Sequence, residues 1–141
     1  MRCTIAVRFL DTNILLYAIS SHPNEVERAE RAASLLCDRD LALSLQVLQE
    51  FYAQATRPTS SVRIGHDVAV AFMATLHRFP IQEITLDLLT LALAIRVRWR
   101  ISYWDAAIVA AARTLGCDTL LTEDLQHGQQ FDGVRVINPF L

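Results

Sequence analysis

The sequence of 141 residues contains no lysine, and its 13 basic residues are all arginine. A phosphate-binding P-loop and an imine-forming active site both require a lysine, so these two chemistries are excluded. Receiver domains of two-component signalling have a similar size and cluster carboxylates at strand ends, but they also depend on an active-site lysine. Glycine is scarce as well, with four residues, and none forms a glycine-rich phosphate-binding motif.

Cysteine and long apolar segments are equally limited. The three cysteines, at positions 3, 37 and 117, are odd in number and form no Cys-x-x-Cys pair, so we expect neither a disulfide framework nor a zinc site. The longest apolar stretch, 86–97, contains Asp87 and Arg96 and is too short and too charged to span a bilayer. The first four residues lack the apolar core of a signal peptide. We therefore expect a cytoplasmic protein.

Strand and helix patterns alternate along the chain. Hydrophobic residues make up 52% of the sequence, which suits a parallel sheet that is covered on both faces. The predicted strands are 5–10, 41–43, 81–84, 119–121 and 134–137. The predicted helices are 13–19, 24–37, 45–56, 66–78, 86–98 and 104–115, with Gly116 and Gly128 as helix stops. This alternation predicts an α/β fold with right-handed crossovers, in one domain that spans 1–141.

Four carboxylates stand out because each lies beside a predicted strand end or an apolar helix face. Asp11 and Asp124 come shortly after predicted strands, and that edge of an open parallel sheet is where ligands bind. Asp105 opens an almost wholly apolar helix, and Glu50 lies at the edge of the apolar face of another. Together they predict a shared cation site.

Each of these carboxylates also has a purely structural explanation. Asp11 is a good helix N-cap, and Ser102 and Asp105 have the spacing of a capping box with Asp in place of Glu. Asp124 could cap a short turn, and Glu50 could be a solvated helix residue. For each residue alone this explanation is at least as good as the functional one, and only their joint arrangement favours a site.

The four carboxylates lie in segments whose order and spacing resemble the PIN domain, and within it the VapC-like toxin ribonucleases of toxin-antitoxin pairs. The segments are FLDTNIL at 9–15, SLQVLQEF at 44–51, SYWDAAI at 102–108 and TEDL at 122–125. The resemblance covers nearly the full length of the chain. It implies a three-layer α/β/α sandwich around a central, mainly parallel sheet.

The resemblance also implies that the four carboxylates, Asp11, Glu50, Asp105 and Asp124, form a catalytic metal site. Asn13 and Thr122 match supporting polar positions, and we expect Asn13 to hold Asp11 and Thr122 to hold Asp124. Glu123 is an ambiguity, since it could assist or replace its neighbour Asp124.

Oxygen ligands alone favour Mg²⁺, or Mn²⁺, over zinc. We expect Asp11 and Asp105 to share the central ion, and Glu50 and Asp124 to hold waters or a second ion. Glu50 has the longest reach of the four and could orient the attacking water. The implied activity is metal-dependent hydrolysis of RNA that leaves a 5′-phosphate and a 3′-hydroxyl.

Substrate contacts are harder to assign from the sequence. Arg96, Arg98 and Arg100 form the densest basic cluster and could follow a phosphate backbone, although cations near a helix C-terminus also offset the helix dipole. Trp99, Tyr103 and Trp104 could stack on bases, although core packing is the better explanation for at least two of them.

The resemblance implies a cognate antitoxin protein as a partner, with a tail that places a basic side chain among the carboxylates. Apolar residues on helices 24–37 and 66–78 would suit a homodimer, and core packing explains them equally well. The alternative function is a noncatalytic PIN-like module that binds RNA or a partner without cutting. A third possibility, a DNA nuclease, would need additional DNA-gripping segments for which the chain has no room.

Overall fold

The structure is a computed structural model that describes residues 7–60 and 63–141. The helices are α1 (Thr12–Ala18), α2 (Val26–Leu35), α3 (Leu45–Ala55), α4 (His66–Thr75), α5 (Leu86–Trp99) and α6 (Tyr103–Thr114). The strands are β1 (Arg8–Leu10), β2 (Leu41–Ser44), β3 (Ile81–Gln82), β4 (Thr119–Leu121), β5 (Gln130–Phe131) and β6 (Val134–Ile137). No helix among these residues is both long and apolar enough to cross a membrane.

The strands form one sheet in the order β3-β2-β1-β4-β6-β5, and every neighbouring pair is parallel except β5 and β6. All four residues of β2 are buried, so helices cover both faces of the sheet. The predicted α/β fold with a mainly parallel sheet is confirmed. From β1 the chain moves outward through β2 to β3, and β4 then pairs with the other side of β1. The boundary between β1 and β4 is therefore the point at which the strand order reverses, a position that favours ligand binding.

Helix α6 fixes one side of the site because it lies deep in the core. Its residues 106–112 are all buried, and most of them are alanines, whose small side chains allow close packing. The helix packs against α5 and against β2, β4 and β6. Its first turn, which contains Asp105, is thereby held against the sheet.

Several predicted boundaries needed correction. Helix 24–37 begins as a 3-10 turn at Pro23–Glu25 and is α-helical only over α2, because proline fixes its own φ and the backbone of the preceding residue. Helix 66–78 likewise ends in a 3-10 turn at Leu76–Arg78. The first two residues of predicted strand 5–10 and the predicted unpaired Cys3 lie outside the described residues.

The last part of the chain contains a hairpin that the sequence interpretation missed. Gly128 does not stop a helix; it has a φ of 88° in a turn that precedes β5. Asp132 and Gly133 join β5 to β6 with φ values of 48° and 96°. Positive φ at both central residues is the requirement of a two-residue type I′ turn, for which Asp-Gly is a preferred sequence.

Candidate functional site

A pocket of about 400 Å³ brings the four predicted carboxylates together. Asp11 and Asp124 reach it from the ends of β1 and β4, Glu50 from α3, and Asp105 from the first turn of α6. The remaining lining residues are Thr12, Asn13, Leu16, Tyr17, Glu25, Gln54, Ser60, Trp104, Ile108 and Glu123. The pocket lies where β1 and β4 adjoin, which is the switch point of the sheet.

Asp11 is the most buried of the four carboxylates, with 7% of its surface exposed. It caps α1, and its Oδ1 accepts a hydrogen bond of 2.7 Å from the backbone N–H of Thr12. Burial raises the pKa of the Asp11 carboxyl to about 6, against its two hydrogen bonds and with a smaller contribution from the charges of Asp124 and Glu50. The helix-cap interpretation is therefore confirmed for this residue, and its role in a cation site stays a prediction.

Thr122 connects two of the carboxylates through one fully buried hydroxyl. The hydroxyl donates to Asp11 Oδ2 at 2.8 Å and accepts from the Asp124 backbone N–H at 3.0 Å. The Asn13 amide donates to the same hydroxyl at 3.0 Å and to Asp124 Oδ2 at 3.1 Å. The predicted pairing is therefore exchanged: Thr122 holds the Asp11 carboxylate and Asn13 holds the Asp124 carboxylate, because strand pairing places Thr122 beside the end of β1.

Glu50 is held by two neutral donors. The Thr12 hydroxyl donates to Oε2 at 2.9 Å, and the Gln46 amide donates to Oε1 at 2.8 Å. Gln46 lies one helical turn before Glu50 and is itself buried. Its amide also reaches the backbone carbonyl of Trp104 at 3.4 Å, so it links α3 to the beginning of α6.

Asp105 occupies the first turn of α6, where Ser102 is the N-cap. The Ser102 hydroxyl accepts from the Asp105 backbone N–H at 3.1 Å, which confirms half of the predicted capping box. The Asp105 side chain is half-buried and lines the pocket. Capping therefore explains the position of the Asp105 backbone, but it does not explain why the residue lines the pocket.

Glu123 also lines the pocket, but it has a different partner from its neighbour Asp124. The Tyr17 hydroxyl donates to Glu123 Oε1 at 2.7 Å. Burial, and next the hydrogen bond to Glu123, raise the pKa of Tyr17 to about 12. In this arrangement Glu123 fixes Tyr17 at the pocket wall, while Asp124 joins the network of Asn13 and Thr122.

The charge of the pocket is not balanced by basic side chains. No Arg or His among the described residues lines it or forms a salt bridge with any of its carboxylates. Within residues 7–60 and 63–141, no three His, Cys, Asp or Glu side chains approach closely enough to hold a metal ion as they stand. The donors nevertheless suit Mg²⁺ or Mn²⁺ in kind, since all are oxygens. In addition, the buried Asn13 Oδ1 has no hydrogen-bond partner in the described part of the chain.

The predicted substrate-binding arginines lie outside the pocket lining. Arg96 and Arg98 occupy the last turn of α5, and Arg100 ends that helix with a φ of 54°. Arg98 pairs with Asp132 at 2.9 Å and lies 5.2 Å from the ring centroid of Trp99. These contacts agree with the helix-terminus interpretation, and a role in RNA binding stays a prediction.

Sequence reasoning missed several residues that line the pocket or hold its carboxylates. The roles of Gln46 and Thr12 toward Glu50 are the main omission; the four-residue spacing of Gln46 and Glu50 on one helix face was the available signal for the first. Glu25 and Tyr17 line the pocket wall. Tyr17 follows Asn13 by four residues on α1, which was an available signal. Glu25 carried no such signal, because its approach depends on how the turn before α2 packs.

Comparison with known proteins agrees with this architecture. VapC20 of Mycobacterium tuberculosis, described as a toxin that cleaves the sarcin-ricin loop, is 24% identical; the match covers 83% of this chain and 91% of that one, with a TM-score of 0.65. A toxin-antitoxin complex from Klebsiella pneumoniae gives 22% identity, 94% and 97% coverage and a TM-score of 0.68. FitAcB from Neisseria gonorrhoeae gives 20% identity, 95% and 99% coverage and a TM-score of 0.65.

At these identities the solved structures establish a common fold. No curated protein is significantly similar to the chain in sequence. The family model of the PIN domain matches residues 8–130, a span that includes all four carboxylates and both supporting polar residues. The chain therefore belongs to the PIN domain family.

Proposed function

We propose that the protein is a metal-dependent endoribonuclease and the toxin of a toxin-antitoxin pair. The observation that carries this proposal is the meeting of Asp11, Glu50, Asp105 and Asp124, from four separate elements, in one pocket without a neutralising cation among its described residues. A protein gains no stability from collecting like charges, and arrangements of this kind are typical of functional sites. PIN nuclease domains generally use divalent metals, and we propose that the protein acts in the cytoplasm.

Asp11 and Asp105 would hold the ion, Mg²⁺ or Mn²⁺, with Glu50 and Asp124 available for bound waters or a second ion. When bound, the metal would lower the pKa of a water and offset negative charge on the phosphodiester. Thr122 keeps the Asp11 carboxylate in place through its 2.8 Å hydrogen bond. Thr12 and Gln46 fix Glu50, whose carboxylate would orient the water for attack.

The test is cleavage by the purified chain, freed of any copurifying protein, of a pool of structured RNAs with and without Mg²⁺ or Mn²⁺. Asp105→Asn should retain the fold and lose cleavage. Asp87→Asn is the matched control, because Asp87 occupies the first turn of α5 as Asp105 occupies that of α6. Products should carry a 5′-phosphate and a 3′-hydroxyl; a 2′,3′-cyclic phosphate, or full activity in Asp105→Asn, would contradict the mechanism.

One observation favours the alternative of a noncatalytic RNA-binding or partner-binding module. No three carboxylates of the described residues lie close enough together to share an ion, so at most two of them would bind it directly and waters would supply the remaining ligands. Calorimetric titration with Mn²⁺ separates the two functions. Binding that Asp105→Asn abolishes supports the nuclease, whereas no binding and no cleavage would support the module.

We propose two protein partners. The first is a cognate antitoxin, which is supported by similarity to proteins solved as toxin-antitoxin complexes. The second is another copy of the chain. On α2 and α4 the large apolar residues that are exposed are Val26, Val68 and Val70, whereas α5 exposes a longer stripe of Leu86, Leu89, Leu93 and Val97. A monomer in sedimentation at micromolar concentration would reject the homodimer.

A further inference from the structure

Trp104 is a large aromatic residue that the fold leaves in solvent beside the carboxylates. It is the second residue of α6, directly before Asp105, and 64% of its surface is exposed. Trp104 is one of the residues that line the pocket. Trp99, in contrast, is half-buried and packs edge-to-face against Phe131 at 5.4 Å. Core packing therefore accounts for Trp99 and leaves Trp104 unexplained.

The backbone that carries the exposed Trp104 ring is held in place by neighbouring residues. Its backbone carbonyl accepts a hydrogen bond from Gln46, and the Ser102 cap holds the helix turn on which it stands. The neighbouring Tyr103 ring meets it at 5.1 Å and 74°, an edge-to-face contact. Because these contacts hold the backbone that carries the ring, less conformational freedom is lost when a ligand stacks on it, and this favours binding.

The charge of the pocket indicates which part of RNA such a ring would contact. The chain has a net charge of −2, and no basic side chain among the described residues lines the pocket. The described lining of the pocket thus offers no basic side chain for phosphate contacts, which usually supply most nucleic-acid affinity. Outside that lining, the guanidinium of Arg28 lies 5.5 Å from the ring centroid of Tyr17. Stacking on an aromatic ring needs no charge and accepts any base, but the base must be unpaired.

We propose that Trp104 is a stacking platform that positions an unpaired base next to the phosphodiester that is cut. The inference rests on the proposed ribonuclease function and adds a residue that positions the substrate. Bases inside a duplex are stacked on each other and cannot reach the ring without unpairing. Trp104 would thus align the strand with Asp105, one residue further along the chain.

The test combines binding and cleavage. Binding is followed by tryptophan fluorescence in Asp105→Asn, which does not cut, with Trp99→Phe added so that Trp104 is the only reporter. The probes are a 12-nucleotide mixed-sequence single-stranded RNA and the same sequence as a duplex. Affinity is also measured by anisotropy of labelled RNA for Trp104→Ala and Trp104→Phe. Leu86→Ala, which shortens another highly exposed apolar residue, is the control.

We expect the single strand, and not the duplex, to quench Trp104 fluorescence. Trp104→Ala should weaken single-strand binding about 5- to 150-fold, which is the 1–3 kcal/mol of stacking on one base. Trp104→Phe should retain most of the affinity, and Leu86→Ala all of it. Thermal unfolding should be unchanged in Trp104→Ala, since the ring is exposed.

Unchanged single-strand affinity in Trp104→Ala, or equal losses for strand and duplex, would overturn the proposal. A shift from dimer to monomer in sedimentation without loss of RNA affinity would overturn it too, and would assign the ring to a protein interface. Cleavage by the wild-type chain reports on the proposed function separately. If Trp104→Ala cleaves RNA as well as the wild type and Asp105→Asn does not cleave, the nuclease function is supported and only the stacking role of Trp104 is rejected.

Discussion

Replacing Asp11 by asparagine removes a buried charge at almost constant shape, and its effect on stability depends on pH. Burial raises the pKa of the Asp11 carboxyl from 3.8 to about 6 in the folded protein. An acid with a raised pKa is ionised more easily in the unfolded chain, so it destabilises the fold increasingly as pH rises from about 4 to about 6. The difference corresponds to about 3 kcal/mol of unfolding free energy at pH 8 and less than about 1 kcal/mol at pH 4.

The assay is urea unfolding of the wild type and Asp11→Asn at pH 4 and pH 8, both with a metal chelator. Between these pH values, the difference in unfolding free energy should move by about 2–3 kcal/mol in favour of the asparagine variant. The new amide meets the Thr122 hydroxyl, and that cost is nearly independent of pH, so it cancels in the comparison. Asp87→Asn controls for the loss of a surface carboxylate. If the difference in unfolding free energy between the wild type and Asp11→Asn is the same at both pH values, the charge of buried Asp11 does not destabilise the fold and the reasoning is refuted.

Three further predictions concern positions outside the four carboxylates. Gln46→Met keeps the side-chain volume but removes the donor to Glu50, and we expect cleavage and Mn²⁺ affinity to fall about 10-fold or more; Gln82→Met, remote from the pocket, should change neither. Arg100→Gly relieves the left-handed φ of 54° at the end of α5 and should raise the unfolding free energy by about 1 kcal/mol in urea titration. Loss of RNA binding in this variant would support the predicted arginine contact. Gly133→Ala, at a φ of 96°, should lower stability by about 1 kcal/mol or more, and Gly133→Asn by less; equal effects would argue against a type I′ turn.

The hydrophobic periodicity of the sequence and its turn residues were sufficient to predict most of the fold. The alternation of apolar runs with helical patterns predicted the parallel sheet, because strands buried on both faces and helices with one apolar face differ in sequence period. The β5–β6 hairpin was missed, although Asp132-Gly133 is the dipeptide that such a turn prefers. Helix ends were displaced where 3-10 turns extend α2 and α4, since the hydrogen bonds of a terminal turn are not encoded by apolar spacing.

The candidate site was predictable in its residue types and less so in its contacts. The four carboxylates could be chosen because each lies beside an element end or an apolar face. The exchange between Asn13 and Thr122 could not be foreseen, since it depends on the pairing of β1 with β4. The contact of Gln46 with the Trp104 carbonyl depends on how α3 and α6 pack, which no local pattern determines.

Two helices begin at the pocket: α1 at Asp11 and α6 just before Asp105. The first turn of a helix carries unpaired N–H groups and a partial positive charge, so these ends offset part of the negative charge of the pocket. Because the backbone provides this compensation, no point mutation that spares the helices can remove it. The pocket can thus tolerate its acidic lining although none of its carboxylates forms a salt bridge within the described part of the chain. The cavity is unlike one lined with arginines, in which every incoming cation would first have to displace a resident side chain.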